Sequence, residues 1–206
     1  MAVAVTHRCA RNDDIVNIAL LPPMTASSRR FLLRERTSHQ HSAVDTAVGS
    51  FDTLERYRLY LQGLHAFRLP LEARLTEMPW PVHFSGWRPR FIGDLILRDM
   101  DDLNVTVRPP VHDISIRSDL ESLMGVLYVL QGSSLGARIL YVRARDLGLS
   151  EAYGASHLAG QAQSKDWKTF LQFLDSAPQM HMDRVVEASQ VAFAVAETAF
   201  RENIDA

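Results

Sequence analysis

Two stretches of the chain bring together residue types that could carry chemistry. The first is Leu33-Arg34-Glu35-Arg36-Thr37-Ser38-His39-Gln40-His41-Ser42-Ala43-Val44-Asp45. His41 lies four residues after Thr37 and four before Asp45, so on a helix the three share a face. An imidazole that ligates a metal usually donates its other N–H to a carboxylate or carbonyl, and Asp45 is spaced for that role. The same spacing also suits a histidine on a solvated helix face. The second stretch is Gly132-Ser133-Ser134-Leu135-Gly136-Ala137, inside an otherwise good helical repeat. Each helical glycine costs about 0.5–1 kcal/mol relative to alanine. Two of them, four apart with two serines between, predict a kink whose bare backbone admits something flat. A tight helix–helix crossing would use the same small residues.

These residues need elements to hold them. Residues 1–24 read as a weakly ordered extension ended by Pro22-Pro23, with a helical domain over 25–206. Thr25, Ser27 and Ser28 offer N-caps for a helix from about Arg29 to Val48, with Phe31, Leu32, Val44 and Val48 on its apolar side and Leu33 beside them. Asp52 to about Met78 reads as a second helix or a helix pair on Leu54, Tyr57, Leu61, Leu64, Leu71 and Leu75, kinked or interrupted at Pro70. A shorter helix is expected from Pro89 to about Leu103, and a connector at 104–116. The capping box Ser118-Asp119-Leu120-Glu121 opens the strongest segment, about 118–147, with Gly148 as its stop. Further helices are expected at about 151–162, 165–175 and Gln179–Asn203; the last has an inner stripe of Met182, Val185, Val186, Ser189, Ala192, Phe193, Ala196 and Phe200. No strand alternation and no repeat is present. The expected fold class is all-α, a compact multi-helix single domain.

Composition narrows the function. Twenty-two Lys+Arg against twenty-four Asp+Glu leave a net charge of -2, without the basic excess of a nucleic-acid binder. Cys9 is the only cysteine, which rules out an intramolecular disulfide. No secretory leader is recognisable, and no stretch reads as the roughly 20 apolar residues of a membrane span. The expectation is a cytoplasmic protein with no membrane partner. P-loop, dinucleotide, His-Glu-x-x-His and paired-cysteine zinc motifs are all missing.

Taken together, the two stretches resemble the haem oxygenase family, most closely the bacterial enzymes that accompany bacteriophytochromes. The family's first-helix pattern is matched by Leu33, Arg34, Thr37, His41 and Asp45, and its distal-helix pattern by Tyr128, Gly132, Ser133, Leu135 and Gly136. Leu54-Glu55-x-Tyr57, Leu69-Pro70-Leu71-Glu72, Trp167-Lys168-x-Phe170-Leu171 and Thr198-Ala199-Phe200-x-x-Asn203-Ile204 extend the likeness over about residues 30–204.

The resemblance implies haem held between a proximal and a kinked distal helix, serving as substrate and prosthetic group at once. His41 would be the proximal ligand of the haem iron, with Thr37 and Asp45 behind it. Gly132, Ser133 and Gly136 would form the distal wall where the chemistry occurs. Arg34, Tyr128, Ala137, Lys168 and Phe200 would line the haem, with Arg34 and Lys168 as propionate anchors. The implied reaction uses O2 and an external electron donor, a ferredoxin or flavin reductase, and opens haem to biliverdin with release of CO and iron. A bacteriophytochrome is the implied bilin acceptor. The chain departs from the family pattern at Ala137, where a second glycine is usual, and near Gln172, where a further basic anchor is usual. These departures keep a second reading open, a haem-binding storage, transfer or sensor protein without turnover. A helical scaffold that has lost the ligand is a third.

Overall fold

The computed structural model describes residues 26–107 and 116–202, with side chains from 29 onward. The expected extension, Pro22-Pro23, Pro109, Pro110 and the Thr25 cap lie outside the described residues, whereas Ser27 and Ser28 fall inside the first helix, Ala26–Arg36. Eight α-helices and no strand are found among the described residues: α1 Ala26–Arg36, α2 Ser38–Val48, α3 Leu54–Glu77, α4 Gly93–Asp102, α5 Leu120–Asp146, α6 Ser156–Gln163, α7 Asp166–Ser176 and α8 Met182–Arg201. The all-α class expected from the sequence is the observed one.

Several boundaries differ from expectation for local reasons. The single helix expected over 29–48 is split at Thr37, whose Oγ1 donates to the Leu33 carbonyl at 2.7 Å and bends the chain. Backbone bonds still bridge the split, from Thr37 N to Leu33 O and from His41 N to Thr37 O, each 3.0 Å. Leu33 is buried on the inner side of α1, and Phe31 faces solvent. Arg29 fastens α1 to the end of α7 by donating to the carbonyls of Leu174 and Ala177 at 2.8 and 2.9 Å, where a cation suits a helix C-terminus. Pro70 is absorbed within α3, and Leu54 at its start is exposed. The cap of α5 is Asp119, which accepts from Ser122 N at 3.0 Å, one residue beyond the expected Ser118. Gly148, with φ +83°, ends α5 as expected.

The start of α4 was expected at Pro89 and lies at Gly93. There the Glu72 carboxylate of α3 accepts from Ile92 N at 3.0 Å and Gly93 N at 2.8 Å. In the same way, Asp99 of α4 accepts from Ser156 N at 2.8 Å and His157 N at 2.9 Å at the start of α6. Each helix thus caps the next, α3 to α4 to α6, with a carboxylate distant in sequence.

Helix α8 lies across the molecule and packs on α2, α3 and α5. Its stripe is buried as expected from Val185 through Phe200, with Ala199 added. Two glycines allow the close crossings. A Cβ on Gly63 of α3 would come within 2.4 Å of Phe200 Cδ1, and one on Gly125 of α5 within 2.5 Å of Val185 O. By length and composition α5 would suffice to cross a membrane, yet 56% of that window is buried inside the fold, as in a core helix. One apolar cluster joins α5, α7 and α8 to the second half of α3; another joins the first half of α3 to α4 and α6.

Candidate functional site

Where the two clusters meet they leave a cleft of about 740 Å³, within the ~300–1,000 Å³ typical of small-molecule and cofactor sites. Helix α2 contributes His41, Val44, Asp45 and Val48, and α5 contributes Val129, Gly132, Ser133, Leu135, Gly136, Ile139, Leu140 and Arg143. Tyr60, Leu64, Phe67 and Arg68 of α3 and Phe193, Ala196 and Phe200 of α8 complete it, with Gln161 from α6. Most of the lining is apolar, and the polar groups are few.

His41 is half-buried. Its ring packs on Phe193 at 4.4 Å between centroids, and its Nε2 lies 3.5 Å from Tyr128 Oη. Burial pushes its imidazole below the ordinary 6.5; Asp45 opposes this and Arg34 adds to it. The ring is therefore neutral at pH 7, the form with a lone pair free for a metal. Asp45 acts on it through charge, and the structure records no hydrogen bond between them. Thr37, fully buried, bonds to the Leu33 carbonyl and also supports the Tyr128 hydroxyl.

The glycines of α5 are the second element. The helix runs unbroken through them, with Ser133 Oγ donating to Leu130 O at 2.8 Å and Ser134 Oγ to Gln131 O at 2.6 Å. A Cβ on Gly136 would meet no protein atom within 4 Å, and one on Gly132 only Trp167 at 3.8 Å. These two glycines serve no helix crossing. The crossings use Gly63 and Gly125, which the sequence pattern did not single out. At Gly132 and Gly136 the missing side chains leave the backbone of α5 bare along the cleft wall.

The expected site residues therefore separate into two sets. His41, Asp45, Gly132, Ser133, Gly136 and Phe200 line the cleft. Tyr128 and Thr37 do not line the cleft; Tyr128 meets His41 through its hydroxyl, and the Thr37 carbonyl accepts from His41 N. Arg34 and Lys168 are exposed and line no part of the cleft. Ala137 is buried, and its methyl is turned into the second apolar cluster, away from the cleft. It narrows nothing there. Two cations at the cleft were not foreseen. Arg143 is exposed on the α5 wall, two turns after Gly136. Arg68 is 2% exposed and ion-paired through Nε to Glu72 Oε1 at 2.8 Å, while its Nη1 donates to Leu130 O at 3.2 Å. Burial, the largest influence, pushes the Arg68 guanidinium down, and Glu72 opposes it. The signal in the sequence was Arg68 four residues before Glu72 inside an apolar run.

No family model matches the chain. Among curated proteins, the haem oxygenase PigA of Pseudomonas aeruginosa is 31% identical over 163 residues, covering 72% of this chain and 80% of that protein. Among solved structures, the haem oxygenase of Leptospira interrogans superposes with a TM-score of 0.62 at 21% identity, over 87% of this chain and all of that one. The NO- and CO-bound haem oxygenase of Neisseria meningitidis gives 0.58 at 21% identity, over 86% and 92%. The fold is theirs, and the length and identity of the match to PigA place this chain in the haem oxygenase family.

Proposed function

We propose that the chain cleaves haem oxidatively to a biliverdin, with release of CO and iron, using O2 and an external electron donor. The observation that carries this reading is the cleft itself: a neutral imidazole on α2 and a glycine-bared stretch of α5 share one mostly apolar, cofactor-sized space. Bound haem supplies the oxygen chemistry; the protein binds, orients and shields it.

His41 is the proposed axial ligand of the haem iron. Phe193 packs on its ring and Tyr128 meets its Nε2, while burial, Asp45 and Arg34 set its electrostatics. Gly132 and Gly136 would let bound haem come close to the bare α5 backbone. Leu64, Phe67, Ile139 and Phe200 would exclude water from haem bound in the cleft. Ser133, whose hydroxyl accepts from Gln161 Nε2 at 3.4 Å, offers a polar point on that wall. Arg143 replaces Lys168 and Arg34 as the proposed propionate partner, because it alone of the three lines the cleft. An anchor there would set how the substrate is turned in the cleft and hence which carbon bridge is opened. Arg143→Ala is expected to change the proportion of biliverdin isomers, read by chromatography of the products. The resemblance to phytochrome-associated enzymes supports a bacteriophytochrome as bilin acceptor and a ferredoxin or flavin reductase as donor. The inward-turned methyl of Ala137 removes a main reason for preferring haem binding without turnover.

The test is a hemin titration of the wild type and of His41→Ala. The expected result is a Soret band in the wild type whose position shifts or whose affinity falls at least tenfold in the variant, with recovery on adding free imidazole. An identical spectrum and affinity in the variant would remove His41 from the site.

A further inference from the structure

One polar residue of the cleft lining, Tyr60 of α3, is tied to buried groups of two other helices. Its ring lines the cleft and stacks on Phe200, 5.9 Å between centroids at 13°. Its hydroxyl turns to His157 of α6, with Oη 3.3 Å from Nε2. The other ring nitrogen, Nδ1, lies 2.6 Å from Asp99 Oδ2 of α4. All three side chains are buried, with Asp99 and His157 fully so.

The chemistry of the groups fixes the direction of the bonds. Burial opposes the charge on Asp99, but the His157 ring and the N–H groups of His157 and Ser156 outweigh it and hold the carboxyl below its usual range. Burial, with Arg68 adding and Asp99 opposing, pushes the His157 imidazole below 6.5. Burial pushes the Tyr60 hydroxyl above its ordinary 10, with Arg68 opposing. A neutral imidazole beside an ionised carboxylate carries its proton on Nδ1 and donates it to Asp99. Nε2 then accepts, and the protonated Tyr60 hydroxyl donates to it. With its proton committed, Tyr60 Oη has only lone pairs left to offer.

Capping α6 requires the Asp99 carboxylate and two backbone N–H groups; it requires neither the imidazole nor the phenol. Those two carry the hydrogen-bonded chain from the helix start to the cleft. We propose that Asp99 and His157 lock the Tyr60 hydroxyl, so that Tyr60 serves as a fixed hydrogen-bond acceptor that positions a water in the cleft over the substrate. Tyr60 is thereby a positioning residue, and Arg68, Gln161 and Ser133 are further polar residues lining the same cleft. This inference rests on the proposed haem reading of the same cleft.

The test uses the full chain and three variants, Tyr60→Phe, His157→Phe and His157→Gln. Hemin affinity comes first: a wild type that shows no Soret band would overturn the haem reading itself. Given haem binding, Tyr60→Phe and His157→Phe are expected to bind hemin within about threefold of wild type. Turnover should slow about tenfold, the size of one hydrogen bond. The solvent deuterium isotope effect should rise as proton delivery becomes limiting, and His157→Gln should restore part of the rate. A second readout does not depend on turnover. The His157 Nε2 nitrogen resonance should report an acceptor in the wild type, move on addition of gallium protoporphyrin, and lose that response in Tyr60→Phe. Turnover and isotope effect within twofold of wild type in Tyr60→Phe, or a His157 Nε2 resonance of a protonated nitrogen, would overturn the inference while leaving haem binding intact.

Discussion

At the scale of single residues, the account turns on the protonation of His41. Its imidazole lies below 6.5 because burial outweighs the attraction of Asp45 and Arg34 repels its proton. A proton on the ring competes with a metal. Haem affinity should therefore be flat above about pH 6.5 and fall as pH drops through the lowered value. Asp45→Asn removes the raising influence and should move that fall to lower pH, whereas Arg34→Gln should move it to higher pH. Hemin titrations between pH 7.5 and 5 read both shifts, and identical pH profiles in the two variants would contradict this electrostatic description. That His41 and Asp45 face one cleft was legible in the sequence because a four-residue spacing fixes a helix face. Arg143 and Tyr60 were not, because on a long helix buried on several sides periodicity does not say which face opens onto a cleft.

At the scale of elements, the two kinds of glycine separate cleanly. A methyl on Gly125 meets Val185 O, the Ala188 methyl and Ser189 N at 2.5–2.8 Å, so Gly125→Ala must push α5 off α8. A cost of about 1–3 kcal/mol is expected, read by chemical denaturation. A methyl on Gly136 meets nothing. Gly136→Ala should stabilise the haem-free protein by up to about 1 kcal/mol through helix propensity, yet weaken haem binding by intruding on the cleft. Equal destabilisation by both changes would refute the division. Helix identity and order were readable from the chain, since apolar repeats and caps are local. The starts of α4 and α6 were not, because Glu72 and Asp99 cap them from 20 or more residues away. The Gly132–Gly136 pattern was equally ambiguous on its own, and only the placement of α8 decided between crossing and cleft.

At the scale of the whole molecule, three buried or half-buried histidines share one behaviour. His41, His65 and His157 all lie below 6.5, with burial as the first cause of each shift. Folding releases protons from these groups as pH falls below 6.5, because the unfolded chain binds them more readily. Their contribution is complete above about pH 6.5 and is lost as pH falls toward the lowered values, so the denaturation midpoint should decline between pH 7 and 5. His157→Phe should flatten that decline; an unchanged slope would show that His157 does not titrate on unfolding. The buried Arg68–Glu72 pair acts over the same scale, since it joins α3 to the start of α4 and reaches the cleft. Glu72→Ala leaves a buried guanidinium without its partner and uncaps α4, at an expected cost of about 3–5 kcal/mol, read as a lowered Tm.

The most direct test of the central claim is to add a reductant such as ascorbate, under air, to the purified hemin complex and to follow its visible spectrum. The account predicts that the Soret band decays into a broad bilin absorption while carbon monoxide is released. A Soret band that forms and then persists through reduction, with neither bilin nor carbon monoxide produced, would contradict it.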